Sequence, residues 1–397
     1  SAGLERLDGS LDEAAAGLGA STPFRLRRVT LPLVTPALAG SMLLVFMSAL
    51  GSFSAPYIFG GGLRVLSTQV LASKLNGSMG MAYVETTVLA ITAVAALVLL
   101  RWFERRRTYA LTGKGSTTRV SLRGGVARIA PLLAAALVFV LILPHAMIVL
   151  VAFARDGAWT TQVLPPQYTI ENFTRLATDP QLWIPVRNSF WMAVLATVAN
   201  IIVCFVAAYL IARRRFRGRG LLQLLVVLPW AIPATAIAIG LASTFDRNAP
   251  AQLRILLVGT FWILPLAYFV RGIPLVTTAV EGSLRQMDPS LEDAARGLGA
   301  SWWLAMRRVV IPAARPGIAA GATLAGITAV GEFVASVVLY THANRPISME
   351  ILAQLRNLSF GTAAAYSVLL ILLVLIISIG ARMLGGRPER VETIPTA

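Results

Sequence analysis

Two stretches of this chain, 280 positions apart, have nearly the same sequence. The first reads Ser10-Leu-Asp-Glu-Ala-Ala-Ala-Gly-Leu-Gly-Ala-Ser21 and the second reads Ser290-Leu-Glu-Asp-Ala-Ala-Arg-Gly-Leu-Gly-Ala-Ser301. The match continues without a gap to Pro32 and Pro312, and a long apolar segment follows each copy. Because an internal repeat sets the architecture of a chain, we expect two homologous membrane halves, each presenting the same short element outside the membrane.

The composition indicates an integral membrane protein. Of the 397 residues, 56% are hydrophobic and only 13% are charged, whereas soluble domains carry about twice that share of charge. Continuous apolar runs argue against a barrel of short alternating strands, so the predicted fold class is an all-α polytopic helical bundle. About eight segments are long enough to cross a hydrocarbon core about 30 Å thick. They cover residues 36–58, 84–103, 129–153, 187–212, 221–244, 253–271, 317–340 and 364–385.

The net charge of +17 does not indicate a nucleic-acid-binding protein, because the basic residues lie in short loops between the apolar segments. Arginine runs occupy 105–107 and 213–219, and the positive-inside rule places such loops in the cytoplasm. Both copies of the repeat and the C-terminus then lie in the cytoplasm as well. We expect a multi-pass protein of the bacterial inner membrane, with membrane lipid and not nucleic acid as a partner.

The repeat also predicts how the chain is organised. Membrane helices precede the second copy, and we expect them to precede the first copy too, so the first half is interpreted as truncated. The predicted parts are the end of the first half (1–103, with two spans), a cytoplasmic linker (104–128), the second half (129–386, with six spans and a core at about 183–382) and a cytoplasmic tail (387–397).

Each copy of the repeat predicts a helix, a turn and a second helix. In each copy a serine precedes an acidic residue by three positions, Ser10 with Glu13 and Ser290 with Asp293, which is the pattern of a capping box at a helix start. A Gly-Leu-Gly sequence then ends the helix, because glycine permits left-handed backbone. A short basic helix follows (24–29 and 304–310), and Pro32 or Pro312 is expected to stop it before the next span.

Two interpretations of this element are open. It is either an ordinary capped helix at the membrane interface or a docking element for a partner. Two copies with equal internal spacing at equivalent topological positions favour docking, and a partner with two-fold symmetry would meet the same surface twice.

The repeated sequence resembles the EAA loop of binding-protein-dependent ABC transporter permeases. The resemblance rests on Glu13-Ala-Ala, Gly19 and Val29-Thr-Leu-Pro32, and on Asp293-Ala-Ala, Gly299 and Val309-Val-Ile-Pro312. The second copy departs from the motif by Asp for Glu and Ile for Leu. Segments 53–59, 331–336 and 340–347 are similar to fused permeases of the ferric-iron import branch, while the branches for 2-aminoethylphosphonate, polyamines and thiamine are also similar.

The resemblance implies tandem type I permease halves and a set of partners. The loops would contact a cytoplasmic ABC ATPase dimer, and a periplasmic binding protein would deliver the substrate, for which we expect ferric iron. This chain has no phosphate-binding Gly-x-x-x-x-Gly-Lys-Ser/Thr loop. It is therefore expected not to be an enzyme and to bind no cofactor, with ATP and Mg on the ATPase. The implied ATPase contacts are Glu13, Ala14, Ala15, Gly19, Asp293, Ala294, Ala295 and Gly299.

Glu332 is the candidate residue for the translocation pathway, because acidic side chains inside membrane segments usually mark pathways or pair with a partner. The alternative is a structural role, with Arg345 or a facing hydroxyl as the partner. His145 has no second ligand at metal-binding spacing, so no metal site is predicted.

Two other classes of function compete with the ATP-driven importer. An ion-coupled secondary transporter normally carries several intramembrane acids or histidines and has no use for two matched cytoplasmic loops. A membrane enzyme or scaffold is less favoured still, because the spans contain no nucleophile–base pairing and no cofactor motif.

Overall fold

The computed structural model describes residues 14–106, 125–158, 162, 164–246 and 255–384 of the chain. Within these ranges every regular element is a helix, and the only strand-like contact is an isolated bridge between Ala154 and Tyr168. The predicted all-α class is therefore confirmed. The chain divides into two compact units, Ser1–Leu143 and Pro144–Ala397.

The first unit contains two long helices joined by two short ones. Its elements are α1 (Thr22–Arg25), a π-turn (Leu26–Thr30), α2 (Leu31–Leu50), α3 (Ser54–Phe59), α4 (Leu66–Leu75), α5 (Met79–Arg106) and the first part of α6 (Gly125–Ala152). Helices α5 and α6 extend into both ends of the predicted linker 104–128, and residues 107–124 of that linker lie outside the described residues, as does the predicted tail 387–397.

The second unit repeats this order of elements after a set of additional helices. The additional helices are α7 (Glu171–Thr178), α8 (Pro180–Arg213), α9 (Arg219–Ala231), α10 (Ala234–Thr244) and α11 (Ile263–Gln286). The repeated part consists of α12 (Ser290–Gly297), α13 (Trp302–Ala305), a second π-turn (Met306–Val310), α14 (Ile311–Val330), α15 (Val334–Leu339), α16 (Ile347–Arg356) and α17 (Phe360–Leu384).

Six described helices are long and apolar enough to cross a membrane, and α9 with α10 makes a seventh if that bent pair is one span. The bend between α9 and α10 is 107°, so the predicted span 221–244 is not one straight helix. Its cause is local: Ile232 is extended (φ −86°, ψ 129°) because it precedes Pro233. The predicted first span corresponds to the 20-residue helix α2.

The predicted spans 36–58 and 317–340 are each broken near their ends. Helix α2 stops at Leu50 and α3 starts at Ser54, while α14 stops at Val330 and α15 starts at Val334. Each break begins at a glycine, Gly51 or Gly331, but Gly331 has φ −87°, so the left-handed backbone that glycine allows is not what ends α14. Glu332 therefore lies in a non-helical junction and not inside a continuous helix.

The prolines at 32 and 312 do not stop the second short helix, contrary to the sequence prediction. In each copy the chain runs from the short helix through the π-turn into the long helix without a gap. The Ile311 amide N–H donates to the carbonyl of Met306, five residues back. A π-turn widens the helix at this point, which gives the ring of Pro312 room beside the preceding turn. Each repeat element is thus continuous with the helix that follows it.

Helices α8, α11 and α14 form the centre of the second unit. More than half of the most apolar stretch of α11 is buried, and small residues allow close approach of its neighbour: a Cβ on Gly317 of α14 would lie 2.7 Å from the carbonyl oxygen of Ala279. At the end nearest α12, an apolar cluster includes Tyr209, Leu284, Met287 and Val310. This cluster is the base on which the second repeat element rests.

Candidate functional site

The turn of the first repeat element is a Schellman motif. The Ala20 amide N–H donates to the carbonyl of Ala15 at 3.1 Å, and the Gly19 N–H donates to the carbonyl of Ala16 at 2.9 Å. Gly19 has φ +81°, the left-handed conformation that this motif requires and that glycine adopts without steric cost. Glu13, the first residue of the implied contact set, lies outside the described residues.

The second repeat element has the same geometry. The Ala300 N–H donates to the carbonyl of Ala295 at 3.1 Å, and the Gly299 N–H donates to the carbonyl of Arg296 at 3.0 Å. Gly299 has φ +87°. The prediction that the Gly-Leu-Gly sequence ends each helix with left-handed backbone is confirmed in both copies.

The capping box predicted at Ser290 and Asp293 is wrong. Ser290 is the first residue of α12, and its amide N–H donates to a carboxylate oxygen of Asp288 at 2.9 Å. That hydrogen bond lowers the pKa of the Asp288 carboxyl, with a smaller contribution from the Ser290 hydroxyl. The start signal is therefore Asp288-Pro289, two residues earlier, and Asp293 is left free of any capping role. The equivalent box at Ser10 lies outside the described residues.

Helix α12 has an outward face that carries the implied contact residues. Asp293, Ala294 and Gly299 are exposed, and Ala295 is half-buried. Leu298, in the turn, is 90% exposed, and its counterpart Leu18 is 89% exposed. In the first copy Ala14 and Gly19 are likewise exposed and Ala15 is half-buried. A single exposed leucine is common on protein surfaces, but the same leucine is exposed at the equivalent position of both elements, which favours a contact surface.

The inward face of α12 is held by Glu292, which the sequence did not single out as a site residue. Glu292 is buried. One of its carboxylate oxygens accepts a hydrogen bond from the Tyr209 hydroxyl at 2.8 Å and lies 3.3 Å from the Arg214 guanidinium. Arg214 also donates to the Tyr209 hydroxyl at 2.8 Å. The three side chains form a closed network between α12 and the end of α8.

A second contact joins the same two regions. Arg213, the last residue of α8, donates from its guanidinium to the backbone carbonyl of Met287 at 2.8 Å. Met287 itself is buried in the apolar cluster at the base of the element. The connection between α11 and α12 is therefore held to α8 by a side-chain network and by a backbone contact.

The second candidate region is the break between α14 and α15. Glu332 is buried there and forms an ion pair with Arg271 of α11. Its other carboxylate oxygen accepts the amide N–H of Ala335 at 3.0 Å, at the start of α15. Both oxygens are thus engaged by the protein, which favours the structural alternative, although the pathway role stays a prediction. The suggested partner Arg345 pairs instead with Glu350, with Nε 2.7 Å from Oε2.

Hydroxyl groups complete this junction. The Ser336 hydroxyl donates to the carbonyl of Glu332 at 2.6 Å, and it lies 2.7 Å from the Tyr268 hydroxyl of α11. The Ser348 hydroxyl, from α16, donates to the same carbonyl at 3.0 Å. The backbone carbonyl of Glu332, which lies between α14 and α15, therefore accepts two hydroxyl hydrogen bonds in place of the helical ones that the break removes.

Arg271 is the residue of this junction that sequence reasoning missed. It lies inside an apolar run, Tyr268-Phe-Val-Arg271, so the argument applied to the intramembrane charge of Glu332 applies equally to it. Its side chain is 35% exposed although its partner is buried. The second unit also contains an open cavity of about 360 Å³, lined by Tyr340, Thr341, His342, Arg345, Met349 and Ala353.

Curated relatives match most of this chain. A probable ABC transporter permease protein, y4fN, of Sinorhizobium fredii is 32% identical over 88% of this chain and 62% of its own length. The ferric transport system permease protein FbpB of Actinobacillus pleuropneumoniae is 25% identical over 94% of this chain and 54% of its own length. The chain thus spans a little over half the length of these relatives. Permeases named for sulfate, molybdate/tungstate and spermidine/putrescine match smaller parts of it.

Solved structures agree on the fold. A bacterial ABC transporter involved in the import of the acidic polysaccharide alginate matches with a TM-score of 0.53 and 19% identity, over 65% of this chain and 96% of its own. At that identity the match establishes the fold alone. The family model for the binding-protein-dependent transport system inner membrane component matches residues 1–109 and 201–390. The match in both parts of the chain, each containing one repeat element, means that this protein belongs to the family of binding-protein-dependent transport system inner membrane components.

Proposed function

We propose that this chain is the membrane permease of an ATP-driven importer. The observation that carries the proposal is the pair of matching Schellman turns. Each turn presents an exposed leucine, and the helix before it has exposed residues of the repeated motif, Ala14 in the first copy and Asp293 and Ala294 in the second. One such turn is compatible with an ordinary interfacial helix. Two of them, in an internal repeat, suit a partner that offers the same groove twice.

The proposed partner at these turns is a cytoplasmic ABC ATPase dimer. The contact residues would be Glu13, Ala14, Ala15 and Gly19 in the first element and Asp293, Ala294, Ala295 and Gly299 in the second. ATP and Mg would be bound and ATP hydrolysed on the ATPase, while the permease carries out no chemistry. Because each element continues through its π-turn into a long helix, movement of the ATPase is passed directly into the membrane bundle.

The proposed location is the bacterial inner membrane, with both repeat elements and the C-terminus in the cytoplasm. The arginines at 213–219 support this orientation through the positive-inside rule. A periplasmic binding protein would then deliver substrate to the opposite side, and membrane lipid would cover the exposed apolar faces.

The cargo that we propose is ferric iron. Support comes from the FbpB relative, whose match extends over nearly the whole of this chain, together with the similarity of segments 331–336 and 340–347 to that branch. Since both oxygens of Glu332 are engaged, the iron is not expected to be held by this carboxylate as a bare cation.

An anionic cargo is the second candidate, and a specific observation favours it. The Arg271 guanidinium is partly exposed in a helix long enough to span the membrane. A permanently charged group at such a position faces the bundle interior or a water-filled path, where the N–H groups that have no partner among the described residues suit an oxyanion. An oxyanion or a phosphonate would use these N–H groups, whereas the cationic groups of a polyamine or thiamine would not bind to them.

Uptake by proteoliposomes tests the function and the cargo together. The permease is reconstituted with candidate ATPase and binding-protein partners and is offered radioactive ferric iron, sulfate or putrescine. ATP-dependent uptake of iron supports the proposal, and uptake of sulfate alone supports the second candidate. Uptake that follows an ion gradient in the absence of ATP would contradict the importer mechanism and favour a secondary transporter.

A further inference from the structure

We infer that Glu292, Arg214 and Tyr209 form a mechanical clamp that connects the second repeat element to α8, and that Glu292 is a positioning residue for the coupling of ATP hydrolysis to transport. This inference rests on the proposed function. It adds a second attachment to the one that the chain itself supplies, the continuous path from α13 through the π-turn into α14.

The clamp is set by the two faces of α12. Asp293 points outward and is exposed, whereas its neighbour Glu292 points inward and is buried. Adjacent residues on a helix lie about 100° apart, so a force on the outward face is applied within one turn of the Glu292 contact. The inward carboxylate of Glu292 is therefore positioned to transmit a movement of the element to α8.

The contacts that make the clamp are unequal. The Tyr209 hydroxyl donates to the Glu292 carboxylate at 2.8 Å, and a hydrogen bond to a charged acceptor is stronger than one between neutral groups. The partly exposed Arg214 guanidinium lies 3.3 Å from the same oxygen and contributes less. The Arg214 guanidinium also lies over the Tyr209 ring, with its central carbon 5.5 Å from the ring centroid. Tyr209 is itself buried in the apolar cluster, so the clamp ends on a fixed point of α8.

Without the clamp, α12 would still be joined to the bundle by its two chain ends, by its packing against the second π-turn and by the Arg213 contact with Met287. The outward face would still bind the ATPase, and ATP would still be hydrolysed. The movement would then be absorbed in part by rotation of α12 and would not fully reach α8. Loss of the clamp is thus expected to separate hydrolysis from transport and not to abolish either.

The test compares Glu292→Ala with the control Glu281→Ala in the full chain. Glu281 pairs with Arg285 four residues along the same helix, α11, so its loss removes an ion pair without removing a link between elements. The first measurement is amide hydrogen exchange in the purified permease. In Glu292→Ala, exchange within Ser290–Gly297 is expected to rise about tenfold while exchange within the middle of α8 is unchanged, and Glu281→Ala is expected to behave as the wild type.

The second measurement is the ratio of substrate transported to ATP hydrolysed by the reconstituted transporter. The ratio is expected to fall several-fold in Glu292→Ala and to recover in the charge exchange Glu292→Arg with Arg214→Glu. Unchanged exchange in α12, or a proportional loss of both activities at an unchanged ratio, would overturn the inference. A wild-type protein that shows no ATP-dependent uptake would overturn the proposed function instead, and the exchange measurement would still decide whether the clamp exists.

Discussion

The hydroxyl of Ser348 donates a hydrogen bond to the backbone carbonyl of Glu332 across 3.0 Å. In the first copy of the repeat the hydroxyl of Ser67 donates to the carbonyl of Ser52 across 2.8 Å. In both units the donor lies on the second helix after the break in the span, α4 or α16, and the acceptor lies within the break. The repeat is therefore preserved in its hydrogen bonds, while the acidic side chain and its Arg271 partner occur in the second unit.

This asymmetry predicts the behaviour of Glu332→Gln. The substitution leaves the Arg271 guanidinium without its carboxylate, and we expect a loss of roughly 2 kcal/mol in stability, less than for a fully buried pair because Arg271 is partly exposed. The double variant Glu332→Gln with Arg271→Gln is expected to regain most of that loss. Thermal unfolding of the four proteins in detergent measures the coupling energy. Additive losses would show that the two residues do not form a stabilising pair.

Transport by the same double variant separates the two cargo candidates. If the exposed edge of Arg271 contacts an anionic cargo, removing it lowers uptake even where the paired substitution restores stability. If the pair only holds the junction, uptake recovers with stability. The measurement is the initial rate of uptake at equal amounts of folded permease.

The first turn of α17 predicts a severe effect of Gly361→Ala. The Asp156 carboxylate accepts the Gly361 N–H at 2.6 Å and the Thr362 hydroxyl at 2.8 Å. A Cβ on Gly361 would overlap the Ala154 carbonyl oxygen and lie 2.6 Å from the Asn172 amide nitrogen. Because backbone has to move to relieve the overlap, we expect a loss of about 1–3 kcal/mol.

Gly80 supplies the matched control for that experiment. It occupies the corresponding place in the first turn of α5, and a Cβ there meets nothing within 4 Å among the described residues. Gly80→Ala is therefore expected to leave the unfolding temperature unchanged or to raise it slightly. Equal losses in the two variants would mean that crowding by the segment after α6 is not what requires glycine at 361.

The left-handed turn predicts that Gly299→Ala impairs the second repeat element. A side chain at φ +87° costs about 1–2 kcal/mol, although a Cβ there meets open space. We expect slower binding-protein-stimulated ATP hydrolysis with normal insertion into the membrane. Gly297→Ala is the control, since its φ is not positive and a Cβ there also meets nothing within 4 Å among the described residues. A Gly297 variant that is as impaired as Gly299→Ala would argue against the turn conformation as the cause.

Charge on the outward face predicts a docking defect in Asp293→Lys. Asp293 is exposed and caps no helix start, so the variant is expected to fold and insert as the wild type does. Its affinity for the ATPase is expected to fall about tenfold, which corresponds to about 1.4 kcal/mol. Arg296→Ala, which restores the alanine found at position 16 of the first copy, is expected to bind normally. Co-purification of the ATPase at several protein concentrations measures both, and wild-type affinity in Asp293→Lys would contradict the assignment of this face.

Sequence reasoning predicted the features that depend on local chain properties. The apolar runs, the repeat and the Gly-Leu-Gly turns depend on hydrophobic length and on the backbone freedom of glycine, which act within a few residues. The errors at Ser290, Pro312 and Gly331 are also local in origin. In each case a nearby feature of the chain decided the outcome: Asp288 caps the helix at Ser290, a π-turn precedes Pro312, and the helix breaks at Gly331.

The sequence by itself determined that this protein is a membrane helical bundle with two equivalent exposed elements, because those properties follow from residues close together along the chain. Only the tertiary structure decided that Glu292 meets Arg214 and that Glu332 meets Arg271, pairs that are 78 and 61 residues apart. The physical reason is that an ion pair between helices depends on which helix faces meet. The packing of α8, α11 and α14 sets the rotation of each helix about its axis, and this rotation cannot be read from the order of residues along one chain.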